Sequence, residues 1–456
     1  MNRETLTKHR GGRIMLTKLD RIAEIAKEKP EEKFTSLVHL IDEEMLEQCH
    51  KELNGKKAVG VDEVTKAEYE ENLDENIKAL LGKMKNQQYR PLPVRRVYIP
   101  KAGTDKMRPL GIPSYEDKIV QLALNKILSA IYEADFLDCS FGFRPHRGCH
   151  DALKILDVYL SKRNINYVVD ADIKGFFDHV DHKWLMKFIQ HRIIDPNIQR
   201  LIGKFLKAGM MEKGSFQKVY EGTPQGGICS PTLGNIYLHY ALDLWFEEVV
   251  RKNCKGEAYM VRYCDDFVCC FEYEEEAKAF YEALKQRLNK FNLQIAEDKT
   301  KIIYFGRKAY HENKYDGKGK PPTFDFLGFT HYCSSRKDGN FRVKRKTSRK
   351  KFRASMLRCK TWLRENRTLP VGEIMEKLVS KLNGYNRYYG ITDNSESVKN
   401  YKDKVRKLIF KWLNRRSQRR SFNWDKFKLF LNRYPLPNPK VYVNIFDLRK
   451  HISYIL

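Results

Sequence analysis

Tyr259-Met260-Val261-Arg262-Tyr263-Cys264-Asp265-Asp266-Phe267-Val268-Cys269-Cys270-Phe271 places two apolar, aromatic-rich runs on either side of an adjacent aspartate pair. Each run reads as a strand and the pair as the turn between them, so the stretch predicts a β-hairpin. Two carboxylates this close repel, which raises a pKa unless a cation neutralises them. Hard oxygen ligands suit a divalent ion, Mg²⁺ first. A solvated Asp-Asp turn accounts for the pair equally well by itself. A third carboxylate in a matching setting decides between the two.

Tyr167-Val168-Val169-Asp170-Ala171-Asp172-Ile173-Lys174-Gly175-Phe176-Phe177-Asp178 supplies it: a β-rich run that ends in acids, then aromatics and a turn. Asp170 and Asp172 lie two apart and share a strand face. One of them can join Asp265 across a sheet to hold two metal ions, the arrangement that stabilises attacking and leaving oxygens in phosphoryl transfer. Between the acids, Gly222-Thr223-Pro224-Gln225-Gly226-Gly227-Ile228-Cys229-Ser230-Pro231 opens a helix expected over 232–246, with Ser230 as N-cap and Pro231 in its first position. Its glycines let backbone approach a ligand, and the loop suits a nucleotide lying along it. After the hairpin come a helix bearing Ala277, Phe280, Leu284 and Leu288, a strand over Leu293–Ile295, and a strand over Ile302–Phe305. That alternation is a split βαβ sheet. Phe326-Leu327-Gly328-Phe329 reads as a further short strand.

Upstream, Val94 to Lys101 alternates like a strand, and Lys106 to Pro113 returns after a turn near Gly103. Such a hairpin offers Lys101 and Arg108 to one triphosphate. The loop Ser140-Phe141-Gly142-Phe143-Arg144-Pro145-His146-Arg147-Gly148 reads as a nucleic-acid backbone contact through Arg144 and Arg147, with a purely structural loop as the equal alternative. Nearer the N-terminus, a helix capped by Thr35 or Ser36 carries Leu37, Leu40, Ile41 and Leu53 on one face.

The 456 residues carry a net charge of +28, which points to a polyanion, nucleic acid before an anionic membrane. No apolar run is long enough for a membrane span, and the first fifteen residues hold no apolar signal core. The ten cysteines form no C-x-x-C pair, which argues against a zinc module or a disulfide framework. Past Ser334 the composition turns basic: Lys344, Arg345 and Lys346 lead into helical periodicity that ends at Arg415-Arg416 and Arg419-Arg420. We read a separate basic helical domain whose cations track phosphates. The expected division is 1–90 for an N-terminal helical extension, 91–335 for the strand-bearing centre and 336–456 for the basic domain.

Taken in order, the Arg-Pro-Leu-Gly-Ile-Pro run, Ser-Phe-Gly-Phe-Arg-Pro, the Asp strand with Phe-Phe, Gly-Thr-Pro-Gln-Gly-Gly-Ile-Cys-Ser-Pro, Tyr-Cys-Asp-Asp, Phe-Leu-Gly and Gly384-Tyr385-Asn386-Arg387-Tyr388-Tyr389-Gly390 resemble a bacterial group II intron reverse transcriptase/maturase over nearly the whole chain. The resemblance implies an α+β right-hand polymerase with fingers, palm and an α-helical thumb. It implies Asp172, Asp265 and Asp266 as the metal-binding triad. Asp172 is preferred to Asp170 because the family's acid precedes its bulky gate by five residues, which makes Phe177 the gate against a ribose 2′-OH. Lys101 and Arg108 match residues that hold the incoming triphosphate, Gln225 the residue beside nucleotide and template, and Lys299 the lysine that protonates departing pyrophosphate.

The implied cofactor is a pair of Mg²⁺ ions, with Mn²⁺ as the substitute. The implied partners are an RNA template, a DNA primer, deoxynucleoside triphosphates and a group II intron RNA whose splicing the protein assists. The implied setting is the bacterial cytoplasm, away from membranes. Two features depart from the family pattern: Cys264 stands where alanine is commoner, and no Cys-rich or His-Asn-His nuclease segment follows the thumb. Rival readings are a stand-alone enzyme of this type in phage defence, DNA repair or a CRISPR system, and a maturase that only binds RNA.

Overall fold

The structure, a computed structural model, describes residues 18–100, 107–212, 214–223, 226–317, 319–416 and 421–448. Its eleven described strands are β1 (Val94–Pro100), β2 (Met107–Ile112), β3 (Tyr167–Asp172), β4 (Met210–Glu212), β5 (Ser215–Gln217), β6 (Ala258–Tyr263), β7 (Asp266–Phe271), β8 (Lys301–Tyr304), β9 (Phe324–Phe326), β10 (Phe329–Ser335) and β11 (Phe341–Thr347). They form three sheets, ordered β2-β1-β4-β5, β6-β7-β3-β8 and β11-β10-β9. The chain is α+β: helices flank the sheets, and the last three long ones, Arg349–Glu365, Val371–Tyr389 and Ser395–Leu413, follow β11.

The central sheet, β6-β7-β3-β8, is antiparallel throughout. Its strands alternate, so each face buries a different set of side chains. Val169, Ala171, Met260, Phe267, Cys269 and Phe271 join a core built with the N-terminal and central helices. Val168, Val261, Val268, Cys270 and Ile303 join a second core, shared with helix Cys149–Lys162, strands β9 to β11 and the C-terminal helices. Burial on both faces explains why these strands read as continuous apolar runs rather than as an inside/outside alternation.

Four local expectations are revised. The helix expected to be capped by Thr35 or Ser36 starts instead at Glu43, because the Asp42 side chain accepts from Met45 N–H at 2.9 Å; Val38–Leu40 is a 3₁₀ turn. The helix after the glycine loop starts at Ser230, with Cys229 in the cap position, and winds as π-helix over His239–Asp243 and Phe246–Val250. Leu293–Ile295 contributes only a bridge from Ile295 to Ile173. Phe326-Leu327-Gly328-Phe329 is a reversal between β9 and β10, with φ +48° at Leu327 and +83° at Gly328. Among the described residues, no helix is long and apolar enough to cross a membrane.

Candidate active site

Pairing of β6 with β7 sets Tyr263 opposite Asp266, so Cys264 and Asp265 form a two-residue connection with Cys264 left-handed at φ +61°. The next pairing, of β7 with β3, sets Asp172 opposite Asp266 and Asp170 opposite Val268. Residues paired across antiparallel strands share a face. The register therefore brings Asp172 to the aspartate pair, while Asp170 sits one step further into the sheet. Asp170 is held up to about 7 by burial and by Asp325 and Asp172 nearby. Burial likewise lifts Asp266 to about 7, with Asp170, Asp265 and Asp172 adding to the effect, and raises Asp265. These carboxyls sit where extra positive charge would be most favourable.

Two cations answer part of that demand. The Lys299 ammonium pairs with the Asp172 carboxylate, and this pairing raises the lysine pKa. The exposed Arg108 guanidinium, on β2, partly opposes the rise at Asp265 through its charge. Among the described residues, no three His, Cys, Asp or Glu side chains converge into a ready metal cage. The donor set nonetheless fits Mg²⁺, which keeps several waters and binds through one or two carboxylates plus substrate phosphates.

Phe176 and Phe177 follow β3 in a short 3₁₀ turn. Phe176 is buried in the core. Phe177 is half-buried and lines a cavity of about 290 Å³ together with Arg96, Gly111, Asp178, Glu221 and Thr223. The glycine loop fixes this ring from behind, since Thr223 N–H donates to Phe177 O and Gly222 N–H to Val180 O, both at 2.8 Å. Two glycines are needed here for close approach. A Cβ on Gly222 (φ +85°) would lie 2.7 Å from Asp178 O, and one on Gly226 (φ +113°) 2.6 Å from Gly111 O. Gly226 thus seats the loop against β2, which carries Arg108. Lys101 and Gln225 lie outside the described residues.

The basic residues divide. Arg144 is corrected from a phosphate contact to a structural residue: it is buried, doubly bonded to Glu133, and donates to Leu137 O and Ser140 O. Arg147 is corrected likewise, since it is paired with Asp138 at 2.5 Å with its guanidinium over the Phe141 ring. Arg345 is the third correction: it points inward from β11, fully buried, onto Asp157. Its neighbours Lys344 and Lys346 point the other way and reach solvent, and Arg415 is exposed beside Trp412. Arg416 is half-exposed; Arg419 and Arg420 lie outside the described residues. The sequence reading gave no role to Arg262, Asp243 or Asn235, which are buried directly behind the hairpin. The available signal was a lone arginine inside an apolar strand, since a buried charge must be paired.

Residues 99–331 match the family model described as reverse transcriptase (RNA-dependent DNA polymerase), and residues 349–430 match that of the group II intron, maturase-specific domain. The chain is 42% identical over 225 residues to the group II intron-encoded protein LtrA of Lactococcus lactis subsp. cremoris, covering 48% of this chain and 37% of LtrA. It is 33% identical over 301 residues to protein YkfC of Escherichia coli (strain K12), covering 58% of this chain and 79% of YkfC. A 91 kDa protein in the cob intron of Schizosaccharomyces pombe is 39% identical over 173 residues, 38% of this chain and 21% of that protein. The match thus spans well under half the length of LtrA.

Proposed function

Because the chain belongs to the group II intron reverse transcriptase/maturase family, we propose that it extends a DNA primer on an RNA template and also binds a group II intron RNA and assists its splicing. The observation that carries the polymerase reading is the register of Asp172 against Asp266, beside Asp265 and under Lys299. Asp172, Asp265 and Asp266 would hold two Mg²⁺ ions, which, when bound, lower the charge cost of bringing a primer 3′-oxygen to a triphosphate.

The chain's own residues perform the remaining tasks. Arg108, facing Asp265 from β2, grips the triphosphate, with Lys101 assigned the same task. Phe177 closes the cavity where the sugar edge of the nucleotide lies, and its ring excludes a 2′-OH. Gln225 is assigned to the side of nucleotide and template. Lys299, kept protonated by Asp172, gives a proton to the departing pyrophosphate. The maturase-specific match over 349–430 supports the second role, with outward cations such as Lys344, Lys346, Arg415 and Arg416 on the phosphates.

The test separates the two roles. Asp265→Ala with Asp266→Ala removes two mutually repelling carboxylates from a turn and opens no apolar cavity, so the chain should fold. Primer extension on RNA should vanish while affinity for intron RNA persists. DNA synthesis by the folded double variant would overturn the metal assignment. Loss of RNA affinity along with synthesis would overturn the separation of the two roles.

A further inference from the structure

Arg262 is the next-to-last residue of the apolar strand β6 and is fully buried. A guanidinium has five N–H donors, and here every one is used. Nε donates to Asp243 Oδ1 at 2.6 Å, and Nη2 to Asp243 Oδ2 and to Ser140 Oγ at 2.7 Å. Nη1 donates to Asn235 Oδ1 and to the Cys264 carbonyl, both at 3.0 Å. The backbone of the same residue is also tied, since Arg262 N–H donates to Cys139 O at 2.7 Å and Phe141 N–H to Arg262 O at 2.9 Å. One side chain therefore joins the Ser140 loop, the helix Ser230–Leu238, its π-wound continuation and the aspartate turn.

The joint has no slack. Gly142 packs so closely on the turn that a Cβ would stand 2.5 Å from Cys264 N, and its carbonyl accepts from Asn235 Nδ2 at 2.7 Å. Asp243 is delivered by the π-wound turn His239–Asp243, whose extra residue rotates the helix face; such bulges recur at functional sites. On the same helix Gly234 lies under the gate, where a Cβ would meet the Phe176 and Phe177 rings at 3.0 and 3.1 Å. Cys264 is held in the left-handed region that a residue with a Cβ avoids. Its carbonyl is the atom Arg262 grips.

We propose that Arg262, locked on Asp243, is the positioning residue of the aspartate turn: its hold on the Cys264 carbonyl keeps the turn left-handed and sets Asp265 and Asp266 at a fixed distance from the helix beneath Phe177. This inference rests on the assignment of Asp265 and Asp266 as metal-holding groups. A buried pair that merely glued elements together would affect melting and leave the split between kcat and KM alone. A positioning residue moves kcat at an intact nucleotide KM, because a misplacement of about 1 Å costs about 10²-fold in rate.

The test uses Arg262→Lys in the full chain. An ammonium keeps a charge for Asp243 but lacks the fork that reaches Cys264 O at the same time. We expect kcat for primer extension to fall about 10²-fold with the deoxynucleotide KM within about 3-fold. The half-saturating Mg²⁺ concentration should rise, amide exchange at residues 263–266 should accelerate, and RNA affinity should be unchanged. Adding Cys264→Gly, which tolerates the left-handed turn unaided, should restore at least about tenfold of the lost rate. Arg262→Met with Asp243→Leu, an apolar replacement of a kind that often preserves stability, is the second variant should the first fail to fold. A folded variant with wild-type kcat and wild-type exchange at 263–266 would overturn the proposal, as would absence of any rescue by glycine. Those outcomes differ from failure of the metal assignment, in which Asp265→Ala with Asp266→Ala would itself keep synthesis.

Discussion

The proposed selection against a ribose 2′-OH rests on one ring, Phe177. It is half-buried on the cavity wall, edge-on to buried Phe176 at 5.1 Å, and its carbonyl is pinned by Thr223. Phe177→Val keeps that backbone and removes the far half of the ring. Steric discrimination of this kind is worth about 1–3 kcal/mol, roughly 10–200-fold. The ratio of kcat/KM for deoxy- over ribonucleotides on an RNA template should fall by about that factor, and an unchanged ratio would remove Phe177 from the role. The ring's place on the cavity wall, as distinct from its role, was legible because the acid, the glycine and the two aromatics are contiguous, so local spacing carried the geometry. Arg144 was not legible for the opposite reason. Its partner Glu133 lies in another element, and an arginine beside glycine and proline has the same local pattern whether it faces solvent or a carboxylate. Arg262 stood in the quoted stretch itself, yet its partners Asp243, Asn235 and Ser140 become visible only once the chain is folded.

At the scale of the element, β11 shows how alternation sorts a basic run. Phe341, Val343, Arg345 and Thr347 point inward, and Arg342, Lys344 and Lys346 outward. Arg345 meets Asp157 on helix Cys149–Lys162 and lies opposite buried His331 on β10. Arg342 is not free either, since it bonds Asp393 at 2.6 Å. Neutralising Lys344 and Lys346 should therefore reduce the slope of log K against log salt for RNA by about 0.7 for each phosphate left without its cation, at little cost in melting temperature. Arg345→Gln should do the reverse. It strands Asp157 in the core, which for a broken buried pair costs about 3–5 kcal/mol, and leaves the salt slope of the surviving folded protein unchanged. Salt titrations and denaturant curves on the two variants check both halves; a flattened slope in Arg345→Gln would restore it to the phosphate-binding surface. The period-2 pattern was present in the sequence, but the density of positive charge masked it. Leu327-Gly328 was misread for a related reason. Phe-Leu-Gly-Phe has strand composition, and only the positive φ of two successive residues marks the reversal.

Across the whole molecule, the boundary expected at 336 falls between two strands that pair from Phe329↔Thr347 to Ser335↔Phe341. The C-terminal helices do not hang from that hairpin; they complete its core. Leu378, Leu382, Tyr385 and Tyr389 share one apolar cluster with Phe324, Phe326, Phe329 and Val343, and with Val168, Val268 and Cys270 of the central sheet. The β9–β10 reversal is bolted to the helices directly, because Ser348 N–H donates to Gly328 O at 2.9 Å and Tyr388 Oη to Leu327 O at 2.7 Å. Tyr388 O in turn meets His150 Nε2 at 2.8 Å, at the start of helix Cys149–Lys162. The central sheet thus has its aspartates on a face whose other cover comes from the last third of the chain. Burying each large apolar side chain contributes about 1.5–3 kcal/mol, and a folded domain holds only about 5–15 kcal/mol in all. Ending the chain after residue 348 would bare several such side chains at once, enough to cancel that margin. The shortened chain, although it retains every aspartate of the triad and all eleven described strands, should lose its cooperative thermal transition, bind an apolar dye and fail to extend a primer. Calorimetry beside the full chain is the decisive measurement. A shortened chain that melts cooperatively near the full-length temperature would show that the helices after β11 are an independent unit, and that the two cores are joined in space without being joined in stability.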